Sequence, residues 1–490
     1  MSKMTRILLA LGLILAVATP ALAEFKFNGV FNTKMYSEEK KSVTQEEGAS
    51  EQFIDQRFRA KLTYSLNDNV SVVYFGEVDT VWGEESKGNI GDGGQVTVRT
   101  TGADGVNIET KNVYLDLKFG NTAATLGITT LGDAFGGVIF FEDIPALNVT
   151  HKIGNTTLRA MYSKWDEDYS TNSTVKVDET TITEDDFYLN DEDLVAVDHT
   201  HTATVAINTA KANPRGDWDD LDFYALELKQ KFNDNFTAGA GVYFKDDNRS
   251  DAGDTEIYFY GLNADVRFGN FGIDGFFMIQ DGEYDAEVAG ADYDIEGMAA
   301  SARAAMKIEN GDIGLRVMYF SDDDDKKDEG RWQGFQGEYF FVNDNQMQFL
   351  VDKFVANDGK EMYAIKDAVD RGFGLLGFVL SGNHKLPQNM YLNWGAGYYL
   401  SLEEETDGYK GAKKAKGVQI VAADKYRRGD TLGYEIAARV GKRFFEKVDV
   451  SLNASYAGYG DFYDDTVKEG TKVGDPDDTY KAYLMVNVPW

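Results

Sequence analysis

The chain contains no cysteine. That excludes disulfide frameworks, thiolate catalysis, Cys-based zinc sites, iron–sulfur clusters and covalently attached c-type haem. Histidine is almost as scarce, with only His151, His199, His201 and His384. Positive charge is short too: 49 Lys and Arg face 82 Asp and Glu, for a net charge of −33. Such a balance argues against a nucleic-acid partner, because neutralising phosphates needs a basic surface. Only six prolines occur: Pro20, Pro145, Pro214, Pro387, Pro476 and Pro489. They are expected at element ends, turns or loops and not in a strand interior, where a missing N–H would cost a ladder bond. No G-x-S-x-G elbow, H-E-x-x-H pair or P-loop is present, so no enzyme chemistry suggests itself. Aromatics, by contrast, are plentiful at 13%, too many for a disordered acidic chain.

The one apolar run, Ile7 to Val17, follows Lys3 and Arg6 and precedes Ala21-Leu22-Ala23. Charged, apolar and small residues in that order form a secretory signal peptide, with cleavage expected after Ala23. A membrane-anchoring helix would need about 20 unbroken apolar residues, and Pro20 comes too soon. Removing 23 of the 490 residues leaves 467; the leader takes two basic residues and no acid, so the charge becomes −35. Residues 24–490 are expected to form one domain.

From Glu24 onward the pattern has period two, as strands with two different faces require. Ile54, Phe58, Ala60, Leu62 and Tyr64 alternate with Asp55, Arg57, Arg59, Lys61 and Thr63. Tyr258, Tyr260, Leu262, Ala264 and Val266 likewise oppose Asn263, Asp265 and Arg267. Short polar turns recur at 67–69, 120–121, 154–155, 233–235, 269–270, 310–311, 343–345, 387–389 and 446–447. Asn, Asp and Gly suit tight hairpins because they tolerate positive φ. Longer acidic stretches alternate with these turns, including 83–106, 166–220, 321–330, 403–428 and 461–478. Nine turns imply ten hairpins and about 20 strands.

A soluble sandwich or solenoid would bury the apolar face against a second sheet. No repeat of fixed length supports a solenoid. Strand lengths near the roughly 9–11 residues of a membrane crossing favour a transmembrane antiparallel β-barrel instead, as do alternating turn lengths and aromatics beside the short turns. Strand pattern begins at Phe25, which leaves no room for a plug domain.

The chain ends with Tyr480, Ala482, Leu484, Val486, Val488 and Trp490 on one alternate face. This resembles the carboxyl-terminal signal recognised by the insertion machinery of bacterial outer-membrane barrels, with Trp in place of the more usual Phe. Three stretches extend the resemblance: I54-D-Q-R-F-R-A-K-L, G105-V-N-I-E-T-K-N-V-Y-L-D-L-K-F and G127-I-T-T-L-G-D-A-F-G-G-V-I-F-F. They are similar to the second, fourth and fifth strands, with the following loop, of homotrimeric porins from anaerobic Gram-negative bacteria. The resemblance implies 16 or 18 strands, so the expected range is 16–20, and segments between 144 and 165 become candidates for loop. It also implies a homotrimer among outer-membrane lipid and lipopolysaccharide, passing small hydrophilic solutes without a cofactor.

In such porins a loop folds into the barrel, its carboxylates facing an arginine-rich wall. The stretch 131–147 is the candidate here, with Asp133, Glu142 and Asp143, and with Phe135, Phe140 and Phe141 expected to be buried. The facing set is Arg57, Arg59 and Lys61, joined by Arg159, Arg303 and Arg316, with Arg439 further along the inward face. That face carries more basic than acidic residues although the chain does not, which predicts a mild anion preference at the waist. The acidic loops read as solvated outer surface; divalent-cation binding at Asp322 to Asp325 or Asp475 to Asp478 lacks the spacing of a Ca²⁺ loop. His199-x-His201 is weak as a metal pair. Three rivals to a passive porin stand: a substrate-selective channel, a sheath around an electron-transfer partner, and a lipid-hydrolase barrel with Ser and His on its rim.

Overall fold

The computed structural model describes residues 24–40, 49–82, 108–167, 220–249, 253–286, 292–322, 331–334, 369, 372–402, 429–463 and 478–490. Isolated strand segments are also described between 170 and 212 and at 467–472. Residues 1–23, expected to be a signal peptide, and most of the acidic stretches, including 323–325 and 475–477, lie outside the described residues.

Eighteen strands make one antiparallel sheet. They are β1 (Glu24–Lys40), β2 (Ala49–Asn67), β3 (Val70–Val81), β4 (Glu109–Phe119), β5 (Thr122–Gly132) and β6 (Phe141–Ile153). Next come β7 (Thr156–Glu167), β8 (Asp220–Asn233), β9 (Phe236–Asp247), β10 (Gly253–Phe268), β11 (Phe271–Ala286) and β12 (Tyr293–Ile308). The last six are β13 (Gly311–Phe320), β14 (Leu375–Leu386), β15 (Met390–Leu400), β16 (Thr431–Phe444), β17 (Val448–Tyr459) and β18 (Thr479–Pro489). Each strand pairs with its neighbours in the chain, and β1 pairs with β18 from Val30↔Pro489 to Glu38↔Lys481. The sheet is therefore a closed barrel with no free edge.

Eight of the nine expected turns join hairpins of the wall. The ninth, at 343–345, lies outside the described residues, and β13 pairs directly with β14. Eight hairpins plus the first and last strands give eighteen, where nine turns alone suggested about twenty. The segment 144–165, a candidate for loop, is instead wall, in β6 and β7, and Pro145, expected at an element end, turn or loop, stands inside β6 opposite Ile128. At Gly120, Gly154 and Gly269 φ is +58°, +58° and +59°. A Cβ there would meet nothing within 4 Å, so φ alone selects glycine. The long connection after β7 carries its own hairpin, Thr181–Asn190 with Asp193–Thr202. It places His199 opposite Glu184 and His201 opposite Ile182, with side chains outside the described set.

The two faces separate as period two demands. Exposed apolar rows such as Leu226 and Leu228, Tyr258, Tyr260 and Leu262, or Leu452 and Tyr456 form the outer band. Phe223, Tyr243, Phe259, Met278, Met318 and Tyr399, on the alternate positions, are fully buried on the inner face. Above the band, on β8 to β12, Asp222, Asp246, Glu256, Glu283 and Asp294 stand directly opposite one another from strand to strand. Among the described residues no helix is long and apolar enough to cross a membrane.

Candidate functional site

Between β5 and β6 the chain leaves the wall for Asp133 to Phe140 and crosses the inner face to β8–β11. Asp133 organises this loop by accepting the amides of Phe135 (2.7 Å), Gly137 (3.1 Å), Ile139 (2.7 Å) and Phe140 (3.1 Å). Burial pushes its carboxyl pKa up, and the four amide donors only partly offset that. Phe135 meets Tyr243 and Phe276 edge-on, at 6.0 and 6.1 Å between centroids. Its ring lies on Gly261, where any Cβ would collide with it, so glycine is needed there for space. Phe140 stands edge-on to Phe223 at 5.0 Å and to Trp165 at 6.0 Å. Two wall contacts fix the loop's backbone: the Ala134 amide donates to Tyr243 Oη (3.0 Å), and Asn263 Nδ2 donates to the Ala134 carbonyl (2.8 Å).

Arg159 on β7 holds the loop's root. Its Nη1 donates to the Gly132 carbonyl (2.7 Å) and to Glu227 Oε1 (2.8 Å), and its Nε to Asn148 Oδ1 (2.7 Å). Glu227 also accepts from Tyr243 Oη at 2.8 Å, so loop, wall and ion pair form one network.

A second segment enters the lumen that the sequence pattern does not flag. Trp332, fully buried, packs on Phe259 (5.6 Å) and Phe320 (6.4 Å). The Gln280 side-chain amide clamps its neighbours, donating to the Arg331 carbonyl and accepting from the Gln333 amide, each at 2.9 Å. The available signal was a tryptophan beside the acidic run of a long connection, a residue too large and apolar to be left in water.

Among the described residues the expected opposition of loop carboxylates and wall arginines is not seen. The loop is shorter than 131–147, because Leu131 and Gly132 pair with Glu142 and Phe141 as wall. Asp133 is turned into its own loop. Glu142 is on the inner face of β6. Asp143 is on the outer face, bonded to Lys111 (2.5 Å), Asn112 (2.8 Å) and Thr130. Phe141, expected to be buried, points outward and is 37% exposed.

The seven basic residues lie on the inner face, but most take carboxylates from adjacent strands. Arg57 chelates Asp79 with Nε (2.8 Å) and Nη2 (2.6 Å), and Arg59 pairs with Glu77. Both acids stand directly opposite in register, within reach before any loop arrives. Lys61 is opposite Phe75. Arg303 and Arg316 approach Asp274 at 3.8 and 3.6 Å, and Arg439 pairs with Asp449 at 3.2 Å. The basic residues thus form separate clusters around the wall.

At the seam, Tyr480, Leu484, Val486, Val488 and Trp490 share the outer face. Trp490 exchanges backbone bonds with Gly29 at 3.1 and 3.0 Å, and its ring meets Phe27 (4.4 Å) and Phe58 (5.9 Å). Of the described histidines, His151 bonds Thr122 and His384 bonds Trp394.

No family model and no curated protein sequence matches this chain. Solved structures are similar to it. OpdL of Pseudomonas aeruginosa superposes with a TM-score of 0.50 at 11% identity, over 95% of this chain and 99% of that one. The outer membrane protein opdK of the same species gives 0.49 at 11% over 95% and 98%. OccAB1 of Acinetobacter baumannii gives 0.49 at 14% over 95% and 96%. At such identities the likeness is one of fold: the chain is an 18-stranded antiparallel β-barrel of the transmembrane kind.

Proposed function

We propose that the chain is an outer-membrane porin, a water-filled channel through which ions and small hydrophilic solutes diffuse passively. The observation that carries this reading is the division of the barrel's faces. An apolar band turns outward, charged pairs turn inward, and an in-folded loop narrows the space between. Export by a leader cleaved after Ala23 is supported by the charged, apolar and small residues that follow one another from Lys3 to Ala23. Insertion through the terminal aromatic strand, contact with lipid and lipopolysaccharide, and a homotrimeric assembly of the kind in porins of anaerobic bacteria complete the proposal.

The Asp133 to Phe140 loop and the Trp332 segment occupy the lumen, which weighs against a sheath around a partner protein and favours small solutes. Neither His151 nor His384 meets a serine, so a rim hydrolase has no support among the described residues. Because wall carboxylates pair with the arginines, the anion preference expected at the waist is reduced but keeps its sign.

Zero-current potential in a salt gradient across a planar bilayer tests conduction and sign together. Wild type should conduct with a mild preference for anions. Arg59→Ala leaves the buried Glu77 facing only Arg57 at 3.6 Å, and should shift selectivity toward cations by about twofold. Strong cation selectivity of the wild type at high salt, where vestibule charge is screened, would overturn the positive wall.

A further inference from the structure

At the short-turn end of the lumen, β13 to β17 line an open cavity of about 810 Å³, whose charged lining is Asp312, Lys385, Arg439, Arg443, Glu446 and Asp449. Four inward residues of its lining stand in a single register row: Asp312 opposite Asn383, Asn383 opposite Asn393, and Asn393 opposite Arg439. The row therefore reads acid, amide, amide, base. Strands lie about 4.8 Å apart, so its charged ends are about 14 Å apart along the wall.

Both ends are held in place. Asp312 accepts from Asn383 Nδ2 at 3.2 Å and lies 3.6 Å from Arg303. Arg439 is fixed from one side by Ser451 Oγ (3.1 Å) and Asp449 (3.2 Å), and rests 5.3 Å from the Tyr391 ring centroid. Those contacts use Nε and one Nη, which leaves guanidinium donors toward the cavity. Arg443, 68% exposed, adds a second cation beside it, 3.8 Å from Asp449. The Asn393 side chain makes no hydrogen bond with any described residue although it sits mid-row. A primary amide donates and accepts on one edge, which is the complement of a peptide group.

We infer that this cavity binds short zwitterionic peptides, with the ammonium at Asp312, the carboxylate at Arg439 and Arg443, and peptide groups on Asn383 and Asn393. An extended chain rises about 3.3 Å per residue, so the row matches three or four residues. A simple anion would use only the basic end, and a neutral sugar neither end. The inference rests on the channel reading above and names its substrate class.

The test uses tetraalanine, with N-acetyl-tetraalanine amide as the control lacking both end charges. Binding is read calorimetrically on the detergent-solubilised barrel, and current block is read in bilayers with peptide on the short-turn side. Tetraalanine should bind on the order of tenfold more tightly than the blocked peptide. Asn393→Ala, which breaks no side-chain hydrogen bond among the described residues, should weaken it about fivefold, and Arg439→Ala about tenfold. Equal affinity for the two peptides, or an affinity unchanged in Asn393→Ala, overturns the inference even if Arg439→Ala fails to fold. Conductance without peptide sensitivity also overturns it and leaves the channel standing, whereas absent conductance overturns the channel reading itself.

Discussion

The two ends of the lumen are built on opposite principles. At the long-loop end of β8 to β17 the inner wall carries an apolar cluster, and connecting segments return to it: Phe135 and Phe140, Trp332, Phe373 and Phe462 join wall residues there, while charged pairs such as Arg57 and Asp79 keep to the other side of the barrel. At the short-turn end the connections are two or three residues long and nothing can fold back. Polar side chains there satisfy one another across strands, as Arg439 and Tyr391 do with Asp449, or remain open to the cavity. Connection length therefore decides what reaches the lumen: apolar segments fold back at the long-loop end of β8 to β17, and fixed polar groups stay open to the cavity at the short-turn end. The sharpest way to break this contrast is to loosen the apolar end alone.

Phe135→Ala should have the largest effect. A buried phenyl truncated to methyl costs about 3–5 kcal/mol, enough to undock the loop and raise single-channel conductance. Gly261→Val attacks the same contact from the wall and should raise it similarly. If neither variant changes conductance, the loop does not set the narrowest point. Arg159→Ala comes next, because it strands Glu227, whose side chain is 12% exposed. Breaking such a pair costs about 3 kcal/mol, read as a lower denaturant midpoint with noisier open-channel current.

Acidification probes the same loop reversibly. Burial raises the Asp133 pKa in the docked loop above its value in the undocked one, so the docked form binds the proton more tightly. Docking should strengthen as pH falls through that window and weaken as pH rises through it. Single-channel conductance is then expected to decline on acidification in wild type and to stay flat in Asp133→Asn.

How legible all this is in the sequence follows from what each feature depends on. The wall depends on period two, so the faces of Ile54 to Tyr64 or Tyr258 to Val266 can be read directly, as can eight hairpin turns. Arginine partners depend on register instead. Nothing local to Arg57 says that Asp79 stands opposite, so by sequence alone a loop carboxylate is as good a partner. Asp143 reads as a loop residue until Thr130 is known to pair with it, which extends the wall to Phe141. The turn expected at 343–345 has hairpin chemistry, but β13 already has a partner in β14. Trp332 was hidden because a single aromatic in an acidic stretch has no periodicity to reveal it.

The seam offers a smaller test of closure. Gly29 leaves the space that Trp490 fills, so Gly29→Val overpacks it against the Arg59 carbonyl and the indole. The cost should be about 1–3 kcal/mol, seen as a lower temperature for loss of the compact band in unheated gel samples. Phe58→Ala, which keeps the notch and trims one stacking partner, should cost less.

The smallest effect tests the charge logic of the two faces. Inside, carboxylates stand opposite arginines; on the outer rim of β8 to β12, Asp222, Asp246, Glu256, Glu283 and Asp294 stand opposite one another. Like charges directly opposed across strands destabilise a sheet by about 0.2–1 kcal/mol per pair. Such a row is tolerable only where water or counter-ions reach it, which puts it beyond the hydrocarbon. Glu256→Gln relieves two repulsions at once, with Asp246 and with Glu283, and should stabilise the barrel by about 0.5–1 kcal/mol at low salt. In about 1 M salt the Debye length falls to about 3 Å and the gain should vanish. Asp79→Asn on the inner face should do the reverse, because it deprives Arg57 of its bidentate partner. If Glu256→Gln instead destabilises at every salt concentration, the rim carboxylates are engaged by something in the membrane, and the outer face is not the unpaired counterpart of the inner one.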